Sequence, residues 1–393
     1  MKREVIGYSQ MQDITSNQEL DSMPFFFSSP TCTFVGQGVE REFNQAIPFK
    51  NLAAQASALL EQAKENPSDN PILFGIIPFN EEHPTRLMIP KQLSVSSSTR
   101  GQIQISEASS AGHVISGPTG EKYKQGVVDA IELFATTELS KVVLSRAIEV
   151  ATDEDIDHSA LLHNLLMSNP KGYTFSAKLS EGQRLMGASP ELLVRKRGSH
   201  LESNPLAGSR PRSADDDVNQ EHTLSLLNSA KDLHEHSLVV QEVERVLGQY
   251  CRNLYTPMIP SVIETKTMLH LSTLLEGEVD DANVSALQVA ADLHPTPAVC
   301  GYPRQRAYDA IRQLESFERG YFTGMVGWCD ARGNGEWVIT IRCAEVQKRS
   351  MKVFAGAGIV DQSEPESELD ETGAKMSTFL SAAGIDLKDK LMA

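Results

Sequence analysis

The chain has 393 residues, 40% hydrophobic and 22% charged, the composition of an ordinary globular protein rather than a disordered or membrane one. Its formal charge of -16 disfavours phosphate backbones and anionic lipid, and with no basic patch to reverse the field neither nucleic acid nor membrane is expected as a partner. An acidic chain that binds an anionic small ligand must gather Arg, Lys or a metal at one spot.

Residues 1–7 are too short and polar for the apolar section of a signal peptide, and no 18-residue apolar run follows, so a cytoplasmic protein is expected. Apolar runs at 25–35 and 72–79, bounded by Pro, Ser and Gly, predict strands, with a helix over 52–64 between them. Residues 93–112, rich in Ser, Thr and Gly, predict an exposed connection. A helix over 123–139 leads into a β-branched strand that begins at Lys141. Further strands are predicted at 185–196, 324–329, 336–344 and 351–355, and helices at 221–250, 308–315 and from 368 onward. Strands joined by both turns and helices indicate an α+β fold with mostly antiparallel sheets. Cys32, Cys251, Cys300, Cys329 and Cys343 are odd in number and lack CxxC spacing, which predicts buried free thiols rather than disulfides or a zinc site.

Two glycine-rich spots offer backbone N–H groups to an anion: Val353-Phe-Ala-Gly-Ala-Gly-Ile359, and Gly208-Ser209 within 204–210. Neither is a dinucleotide fingerprint, and each is also explained by a tight turn. In the predicted helix over 221–250, Leu226, Ala230, Leu233, Val240, Val243 and Leu247 form an apolar stripe, and Asp232 and Glu235 share one flank. A second acid cluster, Ser367-Glu-Leu-Asp-Glu-Thr372, has Lys375 one turn past Glu371. One Glu from each helix suffices for Mg²⁺, which fills its octahedron with water and substrate oxygens; the alternative is two solvated helix faces.

Taken in chain order these segments resemble the chorismate-utilising enzymes related to anthranilate synthase component I. The resemblance rests on Lys141-Val-Val-Leu-Ser-Arg146, Gly187-Ala-Ser-Pro-Glu191, Pro205-Leu-Ala-Gly-Ser209, Lys231-Asp-Leu-His-Glu-His236 and Leu293-His-Pro-Thr-Pro-Ala298. It continues through Glu318-Arg-Gly320, Ile341-Arg-Cys-Ala344, Gly356-Ala-Gly-Ile-Val360 and Glu368-Leu-Asp-Glu-Thr372. It covers roughly 120–385, so that 1–110 is expected to be a variable part of one fold and 111–393 the catalytic region.

Within that family the resemblance implies the isochorismate synthase branch, siderophore type. Lys141 stands where an anthranilate synthase is expected to carry Gln, and Ala207 where an aminodeoxychorismate synthase carries its own lysine. The 294–299 segment, HPTPAV, looks like the isochorismate synthase version of the stretch under the substrate ring. Salicylate synthases, which share Lys141, and the menaquinone-pathway isochorismate synthases are the competing readings. The implied chemistry is Mg²⁺-dependent: Lys141 as general base for water attack at C2, and Glu191 as general acid at the C4 hydroxyl. Free Lys and Glu have pKa values of about 10.4 and 4.3, so burial would have to move both toward neutrality. The resemblance further implies Glu235 and Glu371 as metal ligands with Asp232 and Glu368 as helpers. One substrate carboxylate is expected at Arg342 and Lys375 with the amides near Gly356 and Gly358, and Gly208, Ser209 and Ala298 complete the binding set. No amidotransferase partner and a monomer are expected. His270 is left outside the set as a satisfied core histidine.

Overall fold

The computed structural model describes residues 2–5, 17–97 and 112–387. One hydrogen-bonded ladder starts at Cys251–Tyr255 and passes through Leu275–Val279, His200–Asn204, Leu192–Arg197, Gly335–Ile339, Met325–Asp330, Ile72–Ile77 and Thr85–Ser97. It continues through Cys32–Gln45, Phe25–Ser28, Tyr173–Ser180, Gln183–Ser189, Cys343–Val346 and Ser350–Ile359 to Lys141–Thr152. Every step is antiparallel; only Lys2–Val5 among the described strands runs parallel to its neighbour, Thr85–Ser97. A separate three-stranded sheet joins Leu206–Pro211, Met268–Ser272 and Ser261–Glu264.

The central strand Ile72–Ile77 is buried at every position, which is why it reads as a continuous apolar run rather than an alternating one. Inward side chains from both halves of the ladder meet in an aromatic core that includes Phe25, Phe34, Phe74, Phe175, Trp328 and Phe354, with Phe25 and Phe74 stacked at 4.5 Å. Helices cover the outer faces. Leu52–Gln62, Ala230–Leu247 and Ala286–Leu293 share one apolar cluster, and His158–Ser168 and Pro365–Ala382 another. Gly120–Thr136 and Arg304–Leu314 pack over the Lys141 strand.

The expected α+β, mostly antiparallel fold is the one observed; the differences lie in where elements break. The run 25–35 is a hairpin, Phe25–Ser28 and Cys32–Gln45. The expected connection 93–112 begins inside the strand Thr85–Ser97, and 98–111 lies outside the described residues. The helix over 221–250 is two helices, Asp216–Asn228 and Ala230–Leu247, parted at Ser229, whose side chain caps the second by accepting from the Asp232 N–H. Of the cysteines, Cys300, Cys329 and Cys343 are buried but Cys32 and Cys251 are half-buried; all are free thiols. No described helix is long and apolar enough to cross a membrane.

Candidate active site

Two breaks in the ladder open a cleft. Apolar patterning carries strands straight through 185–196 and 336–344, but the first stops at Pro190-Glu191 and the second at Thr340-Ile341-Arg342. Pro190 has no N–H to give the ladder, and Arg342 takes a left-handed φ of 51° that no strand continues through. Gly187 faces Cys343 and Leu192 faces Val338, so the two breaks lie side by side. Backbone bonds from Ala188 to Arg342 and from Ile339 to Glu191 stitch them together. The side chains of Glu191 and Arg342 therefore enter one cavity.

Glu191 is 3% exposed, and burial drives its carboxyl up to about 7 against the opposing pull of the Leu206 amide and the charges of Arg342, Lys141 and Lys375. Arg342 is also buried, its pKa lowered to about 10 by desolvation, with Glu371 and Glu191 working the other way. Its Nη2 lies 3.2 Å from His270 Nε2, and burial together with the Arg342 charge holds His270 well below its usual pKa, so His270 accepts from Arg342 as a neutral ring. His270 lines the cleft. Its adjacency to Arg342 comes from the Ser209–His270 register, a signal that the local sequence does not carry.

The second wall is the strand Leu206–Pro211 backed by the helix Ala230–Leu247. The helix face turned inward is Asp232, Glu235, His236, Val239 and Val243, so the acids lie on the buried face itself and not on a flank beside it; Leu233 and Val240 of the expected stripe are only half-buried. His236, kept neutral with a pKa near 4 by burial and by Lys141, donates to Ala207 O at 3.2 Å and accepts from Thr273 Oγ1 at 2.7 Å, pinning helix to strand. Gly208 has φ 79°, and Asp232 and Leu271 would each lie 3.2 Å from a Cβ there. Ser209 Oγ donates to Glu371 Oε1 at 2.8 Å.

The floor is the pair of strands Lys141–Thr152 and Ser350–Ile359, with Val143 opposite Gly358 and Ser145 opposite Gly356. The two glycines are strand residues, not a tight turn. Val143 N donates to Cys300 O and Ser145 N to Glu315 Oε1, both away from the glycine strand. By antiparallel alternation the groups of Gly356 and Gly358 then point to the opposite side, where Lys375 Nζ donates to Gly356 O at 2.9 Å.

Four of the acids here have their own cations: Glu235 with Lys141 at 3.0 Å, Glu371 with Lys375 at 2.5 Å, Asp232 with Arg210 at 2.6 Å and Glu368 with Lys231 at 2.6 Å. Burial and the nearby Glu371 charge raise Glu368 to about 7. Glu371, despite burial, is held low by Lys375 and Ser209. Lys141 is fully buried, and its contact with Glu235 meets the distance but not the angle of a hydrogen bond, a Coulombic pair that leaves the ammonium donors without a protein acceptor.

The cleft encloses about 620 Å³ counting its open mouth and is lined by Glu191, Gly208, Ser209, Glu235, Ala298, Arg342, Gly356, Gly358, Glu371 and Lys375. Lys141, Asp232 and Glu368 do not line the cleft: Lys141 lies behind Glu235, its ion-pair partner, while Asp232 and Glu368 pair with Arg210 and Lys231, which are also outside the lining.

The family model described as "Chorismate binding enzyme" matches residues 89–384. The chain belongs to the chorismate-binding enzymes. It is 63% identical over 393 residues, all of both chains, to the vibriobactin-specific isochorismate synthase of Vibrio cholerae serotype O1. Isochorismate synthase DhbC of Bacillus subtilis is 43% identical over 92% of this chain and 94% of its own. The crystal structure of DhbC from Bacillus anthracis superposes with a TM-score of 0.88 at 42% identity, covering 93% of this chain and 97% of that one.

The carboxylates of this chorismate-binding enzyme suit a divalent cation. Burial first and the neighbouring Glu371 charge second raise Glu368, and Glu235 and Glu371 present oxygens to the cleft from two helices. Among the described residues, three ligand atoms come within 4.8 Å of one another only at His200, Glu202 and Glu276, near the Cys251–Tyr255 end of the ladder, where Arg195 already occupies Glu202. A cation held in the cleft would draw two carboxylates, Glu235 and Glu371, from its lining and leave its other positions to water or substrate oxygens, a ligand set compatible with Mg²⁺.

Proposed function

We propose that this chain is an isochorismate synthase of the catechol siderophore type, working with Mg²⁺, and that residues 111–393 supply its chemistry while 1–110 frame the fold. The observation that carries the reading is Glu191: a buried carboxyl with a pKa of about 7 in a cleft whose other walls present Arg342, Lys375 and the Lys141–Glu235 pair. A carboxylic acid that keeps its proton near neutrality is a proton donor. The resemblance to the Vibrio cholerae and Bacillus enzymes supplies the substrate.

The reaction is a balanced exchange of water. One water adds at C2 of chorismate, the two ring double bonds shift by one position, and the C4–O bond breaks. Lys141 Nζ, deprotonated when the water attacks, takes the proton that water releases; no protein group accepts a hydrogen bond from this buried nitrogen. Glu191 gives its proton to the departing C4 hydroxyl, which leaves as water, so no net atoms are gained. Arg342 holds one carboxylate with its planar fork, with Lys375 and the outward amides of Gly356 and Gly358 adding charge and donors. Glu235 and Glu371, with Asp232 and Glu368 behind them, hold Mg²⁺, which when bound neutralises and orients the other carboxylate. Gly208, Ser209 and Ala298 shape the wall.

Purified protein incubated with chorismate and Mg²⁺ is expected to give a stable mixture of chorismate and isochorismate by HPLC, and none with EDTA. Salicylate plus pyruvate would move the chain to the lyase branch, and no product without glutaminase or ammonia would make it an amine-adding subunit.

A further inference from the structure

The buried pair Glu315–Arg319 takes no part in the chemistry above, and neither residue lines the cleft. Both side chains are 3% exposed. Removing two charges from water costs several kcal/mol each, and apolar residues of the same volume fill such a space at least as well, so a buried pair invites a reason beyond stability.

The hydrogen bonds supply one. Arg319 uses all five of its N–H groups. Nε and one Nη2 donor go to Glu315, the second Nη2 donor to Val143 O at 2.7 Å, and Nη1 to Val299 O at 2.8 Å and Thr323 Oγ1 at 3.2 Å. Phe79 covers the guanidinium face at 4.5 Å. Glu315 in turn accepts from Ser145 N at 2.8 Å.

Val143 O and Ser145 N are backbone groups on the edge of the Lys141 strand. On that side, where Gly112–Ser116 takes up the edge only from Glu149 onward, Gly301–Tyr302 pairs only with Lys141 and Val142 before the chain turns away. Beyond that point the acid and the guanidinium take the places that a strand's N–H and C=O would occupy. The same guanidinium grips Val299 and Thr323, which, like Val143, line the cleft.

We infer that Glu315 and Arg319 are positioning residues: a side-chain substitute for a strand edge that sets Lys141's strand at a fixed distance from the two walls facing the substrate ring. This inference rests on the proposed isochorismate synthase reading for its reaction, and wild-type conversion of chorismate, measured first, tests that reading separately. Lysine at 319 keeps the charge but presents its donors from a single point, so it cannot span three segments.

The deciding experiment compares wild type with Arg319→Lys, both Mg²⁺-loaded. Chorismate affinity and stoichiometry are read by calorimetry, turnover by HPLC and Tm by circular dichroism. The expected result is one chorismate per chain, a dissociation constant within about threefold of wild type, a Tm within a few degrees, and a kcat lower by about 10²-fold, the loss that an error of about 1 Å in reacting groups produces. A merely structural role would lower binding stoichiometry and kcat together. That outcome, or a kcat within threefold of wild type, overturns the inference. Should Arg319→Lys not fold, Glu315→Gln, which keeps the shape and removes the charge, is judged by the same criteria.

Discussion

The Gly358→Ala substitution isolates the chemistry of the cleft floor. The backbone at 358 is outside the left-handed region, so alanine is permitted there conformationally. Space is the obstacle. A Cβ at 358 would fall on Glu235 Oε1, 2.8 Å from Glu235 Cδ and 3.1 Å from Lys141 Cε. Glu235 must retreat by about 1 Å or more, taking its partner Lys141 with it. A misplacement of that size costs about 10²-fold in rate, equal to about 2.7 kcal/mol of transition-state stabilisation. Overpacking costs about 1–3 kcal/mol in stability, small enough to leave the protein folded. Initial rates of isochorismate formation with circular dichroism melts measure both. Gly126→Ala is the control: it lies inside the helix Gly120–Thr136, where a Cβ meets Leu144 at an ordinary 3.8 Å. It should leave activity unchanged and add roughly 0.8–1 kcal/mol of stability. A folded Gly358→Ala enzyme with kcat/KM within threefold of its parent would refute the claim that glycine is needed for Glu235 and Lys141 to meet.

Glu191 should impose a pH dependence on stability. Its folded pKa of about 7 lies above the ordinary 4.5, so the folded state binds its proton more tightly; its contribution is complete below about 4.5 and is lost as pH rises through 7. The loss is roughly 3 kcal/mol, so Glu191→Gln should gain stability over wild type in urea unfolding at pH 8 and gain much less at pH 4.5, and equal differences at the two pH values would sink the assignment. For the same reason wild-type kcat should decline above about pH 7, where the acid form is depleted, and a flat profile to pH 9 would exclude Glu191 as the acid. Lys141→Ala should abolish turnover and, by leaving Glu235 buried without its cation, cost about 3–5 kcal/mol; Mg²⁺ should then raise its Tm more than it raises that of wild type. Arg342→Lys should weaken chorismate binding by about tenfold or more, since a point charge cannot make the paired bonds of a fork; unchanged affinity by calorimetry would remove Arg342 from the carboxylate site.

The strongly periodic elements were legible from sequence: the helix Leu52–Gln62, the strand Ile72–Ile77 and the strand that opens at Lys141 all lie where their patterns place them. What escaped were interruptions. Hydrophobic patterning reports which face is buried and is blind to a ladder that stops for two or three residues and resumes, as at Pro190-Glu191 and at 340–342. Those interruptions admit the polar side chains. The inward face of Ala230–Leu247 was misjudged because acids were assigned to a flank by type, whereas Asp232 and Glu235 are buried against Arg210 and Lys141 from other segments. Ion-pair partners distant in sequence leave no local trace, and the same holds for His270 against Arg342 and for the grip of the Glu315–Arg319 pair on Val143 and Ser145. The candidate residues reached through the family resemblance do converge on one cleft and its immediate backing.

The ladder brings together strands far apart in the chain, and this has a consequence for synthesis. Apart from a short pairing of its end with Gly112–Ser116, the strand Lys141–Thr152 finds its long partner only in Ser350–Ile359 and its other short one in Gly301–Tyr302. At about 5–20 residues per second, the interval between making the first and last of these is roughly ten to forty seconds. Through that time an apolar, β-branched segment waits on the ribosome with a bare edge, open to capture by another nascent chain. Slowing initiation or supplying a holdase should therefore raise the soluble yield more effectively than slowing elongation, which lengthens the wait.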